Sequence, residues 1–181
     1  MTLKTSDFDY DLPQEYIAQK PVEPRDAARL LVLQRATGRI EHAVFRDIGR
    51  YLRPGDLLVI NETRVIPARL YGSKVSTGGR VEILLLKQVD GATWECLVGG
   101  KGLRPGRRIQ IEAGPQAEIV AELEGPRRLV RFEALPETFL EQAGNVPLPP
   151  YIHVPLEDPE RYQTVYARLP GSAAAPTAGL H

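Results

Sequence analysis

The segment from Tyr162 to His181 contains the side chains best suited to chemistry. It reads YQTVYARLPGSAAAPTAGLH, and its second half consists mainly of glycine, alanine and proline. Such small residues let the backbone approach a ligand closely. Thr177 and His181 are the reactive side chains of that half, and the ordinary pKa of histidine suits a general base near neutral pH. The pattern indicates an active-site loop, and we expect its motif to continue beyond His181.

A second polar cluster, Asn61-Glu62-Thr63-Arg64, directly follows the aliphatic run Leu57–Ile60. A short, continuously aliphatic run is typical of a strand buried on both faces, as in α/β layers. Ligands of α/β sheets bind in the crevice beyond the carboxyl ends of such strands, so the cluster is a candidate binding site. The alternative is a strand-to-turn cap, in which Asn61 and Thr63 bond only to the local backbone.

Four segments, in order along the chain, carry a resemblance to a known family. They are Asp7-Phe8-Asp9-Tyr10-Asp11-Leu12-Pro13, Asn61-Glu62-Thr63-Arg64-Val65-Ile66-Pro67-Ala68-Arg69-Leu70, Pro147-Leu148-Pro149-Pro150-Tyr151-Ile152 and Gly171-Ser172-Ala173-Ala174-Ala175-Pro176-Thr177-Ala178-Gly179-Leu180-His181. The chain resembles the S-adenosylmethionine:tRNA ribosyltransferase-isomerase family of queuosine biosynthesis, whose members are much longer. It departs mildly from the family pattern at Glu62, where aspartate is usual, and at Asn145-Val146.

The resemblance implies a specific reaction. The ribosyl part of S-adenosylmethionine is transferred to the aminomethyl-deazaguanine wobble base of tRNA and isomerised, giving epoxyqueuosine-tRNA with release of adenine and methionine. S-adenosylmethionine is then a co-substrate, and no cofactor is expected. The residues expected to bind substrate are Asn61, Thr63, Arg64, Tyr166 and Ser172. The catalytic candidates are Thr177 and His181, which could lie near the sulfonium.

Charge composition permits RNA binding without arguing for it. The chain has 23 basic and 23 acidic residues, and 18 of the basic residues are arginine, whose planar guanidinium suits phosphate. The arginines cluster in two segments, Arg104–Arg108 and Arg127–Arg131. The alternative is that these arginines form salt bridges at solvated strand ends.

Other chemistries and locations find little support. No apolar run approaches the ~20 residues that cross a bilayer, and the acidic N-terminus lacks the apolar stretch of a signal peptide, so a cytoplasmic protein is expected. The protein is also expected to be a monomer. The single cysteine, Cys96, is expected in the core on a strand. The three histidines are too far apart for a local metal motif, so no metal is expected. Gly99-Gly100-Lys101-Gly102 lacks the Ser or Thr of a phosphate-binding loop and is interpreted as a turn.

The predicted fold combines α/β and all-β parts. Residues 1–64 would begin an α/β sandwich-like domain, residues 65–146 an inserted antiparallel β-barrel, and residues 147–181 the return to the α/β domain, which is expected to be incomplete. Apolar patterns predict strands Arg29–Leu33 and Ile40–Val44, a helix over Phe45–Leu52 and a short helix over Pro136–Ala143. The predicted barrel strands are Ile66–Tyr71, Val81–Lys87, Thr93–Val98, Arg108–Glu112, Ala117–Glu124 and Leu129–Phe132.

Three functional hypotheses remain open. The chain could be the N-terminal part of the enzyme, expected to be inactive alone because its site would be incomplete. It could instead be a non-catalytic module whose barrel binds RNA, or an inactive remnant of the enzyme. Base stacking on a barrel needs exposed aromatic side chains, and few aromatic residues occur in the predicted strands, which weakens the second hypothesis.

Overall fold

The structure is a computed structural model that describes residues 3–181. The described chain divides into two compact units. The first contains the residues up to Pro54 together with Pro149–Glu157, and the second contains Gly55–Leu148 together with Asp158–His181. The domain boundaries predicted from the sequence, at residues 64/65 and 146/147, stay predictions.

The first unit is built around one β-hairpin. Strands β1 (Arg29–Gln34) and β2 (Arg39–Val44) pair antiparallel around the predicted turn. Short 3₁₀ helices surround the hairpin; they cover Thr5–Phe8, Gln14–Tyr16, Arg25–Ala27 and Phe45–Tyr51. The segment Pro149–Glu157 belongs to this unit and is held by Gln19. The Nε2 of Gln19 donates to the carbonyl of Tyr151 at 3.0 Å, and its Oε1 accepts from the amide of His153 at 2.8 Å.

The second unit contains a closed six-stranded antiparallel barrel. Its strands are β4 (Arg69–Lys74), β5 (Arg80–Asp90), β6 (Thr93–Gly99), β7 (Arg108–Ile111), β8 (Gln116–Glu122) and β9 (Arg127–Phe132). They lie in the order β4-β5-β6-β9-β8-β7, and pairing of β4 with β7 closes the ring. At that closure Gly72 faces the carbonyl of Gln110, and a Cβ on Gly72 would lie 2.5 Å from that oxygen.

Alternating apolar residues fill the barrel interior. Every second residue of β5, β6 and β7 is buried over most of each strand, which is the period of two expected when one sheet face meets a core. The largest fully buried side chains are Leu70, Ile83, Leu85, Ile109, Ile111, Ile119 and Val130. The predicted helix over Pro136–Ala143 appears as a 3₁₀ turn, Pro136–Thr138, followed by the short helix α1, Leu140–Ala143. It packs Phe139 against Phe132 with ring centroids 5.6 Å apart. After α1, the two-residue strand β10 (Gly144–Asn145) adds to β4.

The predicted barrel is confirmed, whereas the α/β sandwich layer is not. Leu57–Ile60 was expected to be a buried strand, and this expectation is wrong: the four residues form no strand and are 52–88% exposed. An aliphatic run becomes a buried strand only where neighbouring strands satisfy its backbone, and the part of the chain that the structure describes places none beside it. Phe45–Leu52 is helical, but as a 3₁₀ helix, and Leu31 and Leu33 of β1 are more than half exposed rather than buried.

None of the helices in residues 3–181 has the length and apolar character needed to span a membrane.

Candidate functional site

The two motifs that the sequence singled out lie side by side. Strand β3 (Thr63–Val65) belongs to the central motif and strand β11 (Leu169–Ser172) begins the C-terminal motif; the two pair in parallel. Thr63 is opposite Leu169, Arg64 is opposite Pro170, and Val65 is opposite Ser172. The amide of Ile66 extends the pairing by donating to the carbonyl of Ser172 at 2.9 Å. More than a hundred residues of sequence separate these segments, and the fold brings them together.

A buried glutamine, Gln163, joins the segment before β11 to strand β3. The Oε1 of Gln163 accepts from the amide of Val65 at 2.9 Å, and its Nε2 donates to the carbonyl of Val65, also at 2.9 Å. Gln163 is 4% exposed and Val65 is 4% exposed, so neither backbone group could turn to water instead. The side chain therefore acts like an additional strand partner that joins the segment before β11 to β3.

Two ion pairs surround the central motif. Glu62 accepts from both Nε and Nη2 of Arg168, at 3.0 and 2.6 Å, and the carbonyl of Glu62 also accepts from the amide of Arg168. Arg64 forms a hydrogen-bonded ion pair with Glu160, at the 3₁₀ helix Pro159–Tyr162. The Arg64 side chain is 37% exposed and therefore remains reachable, although it already has a carboxylate partner.

Asn61 and Thr63 form a local turn at the entrance of β3. The Oδ1 of Asn61 accepts from the amide of Thr63 at 2.9 Å and from its hydroxyl at 2.7 Å. This is the geometry of a side chain that caps the backbone two residues later. The capping alternative raised from the sequence thus describes the bonds of these two residues, and a binding role for them stays a prediction.

The C-terminal loop folds back on the segment before it. Ser172 closes a tight turn with the backbone of Ala174, and the 3₁₀ turn Thr177–Gly179 follows. The hydroxyl of Tyr166 donates to the carbonyl of Gly179 at 3.4 Å. A Cβ on Gly179 would collide with that same hydroxyl, so a larger residue there would displace the Tyr166 side chain. Of the predicted substrate-binding residues, Tyr166 and Ser172 therefore lie within the folded loop.

The two predicted catalytic residues are both exposed. Thr177 begins the 3₁₀ turn, and its carbonyl accepts from the amide of Leu180 at 3.2 Å. Within residues 3–181 the imidazole of His181 has neither a hydrogen-bond nor an ion-pair partner. The catalytic roles of Thr177 and His181 stay predictions.

Sequence reasoning missed three residues that shape the site. Gln163, Glu160 and Arg168 were not singled out as site residues; only the three-dimensional pairing identifies their partners. Thr164 is a further one, since its hydroxyl is buried without a partner among the residues the structure describes. A buried unpaired hydroxyl is costly and is one sign of a place where a ligand could bind.

Cys96 does not contribute to this chemistry. It lies in the barrel core, and burial raises the pKa of its thiol well above the ordinary value. A thiol that stays protonated and buried is a poor nucleophile, so the prediction of a structural core cysteine is confirmed.

Comparison with known proteins places the chain in a family. Residues 5–181 match the family described as "Queuosine biosynthesis protein", and the chain belongs to that family. The resemblance seen in the motifs is confirmed. A protein of Symbiobacterium thermophilum called S-adenosylmethionine:tRNA ribosyltransferase-isomerase is 61% identical over 99% of this chain, and a protein of the same name from Dehalococcoides mccartyi is 55% identical over 99%.

Coverage of these relatives is partial. The chain spans 54% of the Symbiobacterium protein and 53% of the Dehalococcoides protein, or about half of their length. A crystal structure of the S-adenosylmethionine tRNA ribosyltransferase from Thermotoga maritima is 45% identical; the match covers 76% of this chain and 48% of that one. Its TM-score of 0.39 is too low to support a conclusion about the fold of this chain.

Proposed function

We propose that this chain forms the N-terminal half of an enzyme that transfers the ribosyl part of S-adenosylmethionine to tRNA and isomerises it. The acceptor is the aminomethyl-deazaguanine wobble base, and the products are epoxyqueuosine-tRNA, adenine and methionine. The observation that carries the proposal is the parallel pairing of β3 with β11. It brings together two family motifs that lie more than a hundred residues apart in the sequence, which supports a common site.

The reaction needs a base that removes a proton from a carbon beside the sulfonium. The positive charge on sulfur makes this proton acidic. His181 carries the imidazole of this loop, the type of side chain that most often acts as a general base, and this imidazole is exposed and unengaged in the described structure. Thr177, four residues earlier, would orient the same region. The proton would move from the carbon beside sulfur to an imidazole nitrogen.

Other residues of the candidate site would position the substrate. Arg64 could release or share Glu160 to bind a carboxylate or phosphate, and the buried hydroxyl of Thr164 is free to hydrogen-bond a ligand. Tyr166 and Ser172 hold the small-residue loop in a shape that lets a ligand approach the backbone. Holding reactants in a fixed relative orientation is a major part of such catalysis.

The proposed whole protein is a cytoplasmic monomer in which residues 1–64 and 147–181 belong to an α/β sandwich-like domain and residues 65–146 form the inserted barrel. The exposed aliphatic run Leu57–Ile60 supports this part of the proposal, because its composition is that of a doubly buried strand. A purely RNA-binding barrel is disfavoured, since Trp94 and Phe132 are 9% and 3% exposed and cannot stack on bases, which leaves Tyr71, 39% exposed, as the aromatic residue of the described barrel strands that could.

The test uses two proteins: this chain, and a chimaera in which the second half of the Symbiobacterium relative continues after His181. Release of adenine from S-adenosylmethionine is measured with precursor tRNA. The chimaera should release adenine, and the 181-residue chain should not, because a site assembled from several segments loses its geometry when segments are missing. A folded chimaera without adenine release would contradict the proposed reaction, and rapid release by the chain alone would contradict the claim that it forms half of the site.

A further inference from the structure

The two ends of the barrel differ sharply in charge. Three connections lie at one end: the turn after β4 with its flanking residues (74–80), the loop between β6 and β7 (99–107) and the turn between β8 and β9 (122–128). Together these segments carry seven basic and two acidic residues. The connections at the opposite end, residues 90–92, 112–115 and 133–141, carry five acidic residues and no basic one. The zero net charge of the whole chain conceals this separation.

The structure separates arginines that are engaged from arginines that are not. Arg127 pairs with Glu95 at 3.0 Å, Arg128 with Glu122 at 4.0 Å, and Arg131 with Glu118 at 2.9 Å. Arg108 pairs with Glu133 at 2.7 Å. For these residues the salt-bridge alternative raised from the sequence is correct. A neighbouring carboxylate balances the charge of each of these arginines, so they attract a polyanion less than unpaired cations do.

The remaining cations at the basic end form a different group, which we call the basic rim: Lys74, Arg80, Lys101, Arg104 and Arg107. In the part of the chain that the structure describes, none of them makes an ion pair with a carboxylate. Arg107 instead donates to the neutral hydroxyl of Ser76 at 2.6 Å. Five like charges without counter-charges repel one another, so the arrangement costs stability unless an anion binds.

The segments that carry the rim are held against one another. The bond from Arg107 to Ser76 joins the β6–β7 loop to the turn after β4, and the amide of Val75 donates to the carbonyl of Arg108 at 3.1 Å. Nε of Arg128 donates to the carbonyl of Leu103 at 3.1 Å, which joins the same loop to the start of β9. The rim is thus one surface on packed loops.

We propose that the basic rim binds the sugar-phosphate backbone of the tRNA substrate at a distance from the reacting base. This inference rests on the proposed function and names the face of the barrel that meets RNA. Unpaired lysines and arginines attract phosphate without regard to base sequence, and the acidic opposite end repels it, so the barrel orients a polyanion.

The position of the rim defines what it contacts. The chain enters β4 from the candidate site at Arg69 and leaves it toward the rim at Lys74. A strand of that length spans about 20 Å at roughly 3.3 Å per residue. The rim therefore contacts a part of the RNA several nucleotides away from the base in the site, and it contributes affinity without taking part in the chemistry.

The test compares two double variants of this chain that remove equal charge. Arg80→Gln/Arg104→Gln removes two exposed rim cations without a partner, and Arg127→Gln/Arg131→Gln removes two cations that are already paired. Binding of a fluorescein-labelled anticodon stem-loop RNA is measured by anisotropy over a range of salt concentrations. The rim variant should bind about tenfold or more weakly, and the magnitude of its log–log salt slope should fall by about 1.4–1.8, the value for two lost phosphate contacts. The paired-arginine variant should change affinity by less than about twofold.

Each outcome decides the question. Equal weakening by both variants, no effect of the rim variant, or no RNA binding by the unaltered chain would overturn the rim assignment. Salt-sensitive self-association without RNA, seen by light scattering, would also overturn it, because the rim would then meet the acidic end of another copy. The proposed reaction is tested separately by adenine release from the chimaera, so it could fail while the rim assignment stands, or the reverse.

Discussion

Replacing Gln163 by alanine tests how the two motifs of the site are held together. The substitution removes both hydrogen bonds to Val65 and leaves a buried amide and a buried carbonyl without partners. An unpaired buried group costs about 1–3 kcal/mol, so the free energy of unfolding should fall by about 2–6 kcal/mol. A loss of that size is a large part of the stability of an ordinary domain.

Urea denaturation followed by tryptophan fluorescence measures the loss, since Trp94 reports on the barrel. Gln163→Leu retains side-chain volume but not the bonds, so it should lose nearly as much as Gln163→Ala. The control is Gln88→Ala, which removes only exposed bonds of a barrel turn and should cost under about 0.5 kcal/mol. If Gln163→Leu were as stable as the unaltered chain, the hydrogen bonds would not be what joins the segments.

Three further predictions concern the barrel and the site. Gly72→Val should prevent closure of the barrel, because its Cβ would lie 2.5 Å from the carbonyl of Gln110; the loss of cooperative thermal unfolding would show it, and an unchanged melting curve would contradict it. Cys96 should react with a thiol reagent only after the chain is unfolded, because burial raises the pKa of its thiol; rapid labelling of the native chain would contradict the structure. In the chimaera, Arg64→Ala should lower kcat/KM by about tenfold or more, equivalent to a lost charge-assisted contact of about 1.5–3 kcal/mol, whereas Arg108→Ala should change it little. Both arginines form part-exposed ion pairs, so similar melting temperatures are expected, and equal kinetic losses would contradict a ligand role for Arg64.

The barrel could be predicted from the sequence because each of its strands and turns is indicated by residues that are neighbours in the chain. Alternating apolar residues gave five of the six strands to within a few residues, and glycine-containing turns separated them. The first predicted strand, Ile66–Tyr71, was the least accurate, since the observed β4 runs from Arg69 to Lys74. The residues before it follow the chain from β3 into the barrel, and their apolar character reflects packing rather than strand pairing; Ile66 packs against the barrel core.

The candidate site could be predicted only as a set of motifs. Nothing local in the sequence indicates that Gln163 reaches Val65, or that Glu62 pairs with Arg168, because these contacts depend on the parallel pairing of distant strands. The exposed run Leu57–Ile60 shows the opposite limitation. Its aliphatic composition favours a buried strand. Burial requires neighbouring strands, and the composition of the run does not identify them.

The central claim is that the paired motifs form the binding site for S-adenosylmethionine, and hydrogen exchange of the chimaera tests it most directly. Exchange of backbone amides is measured by mass spectrometry with and without saturating S-adenosylmethionine. In this half of the protein, protection should appear in peptides that cover residues 61–66 and 162–181, while the barrel strands β5–β9 should exchange as before. Protection confined to the barrel, or no change in either segment of the candidate site, would contradict the account.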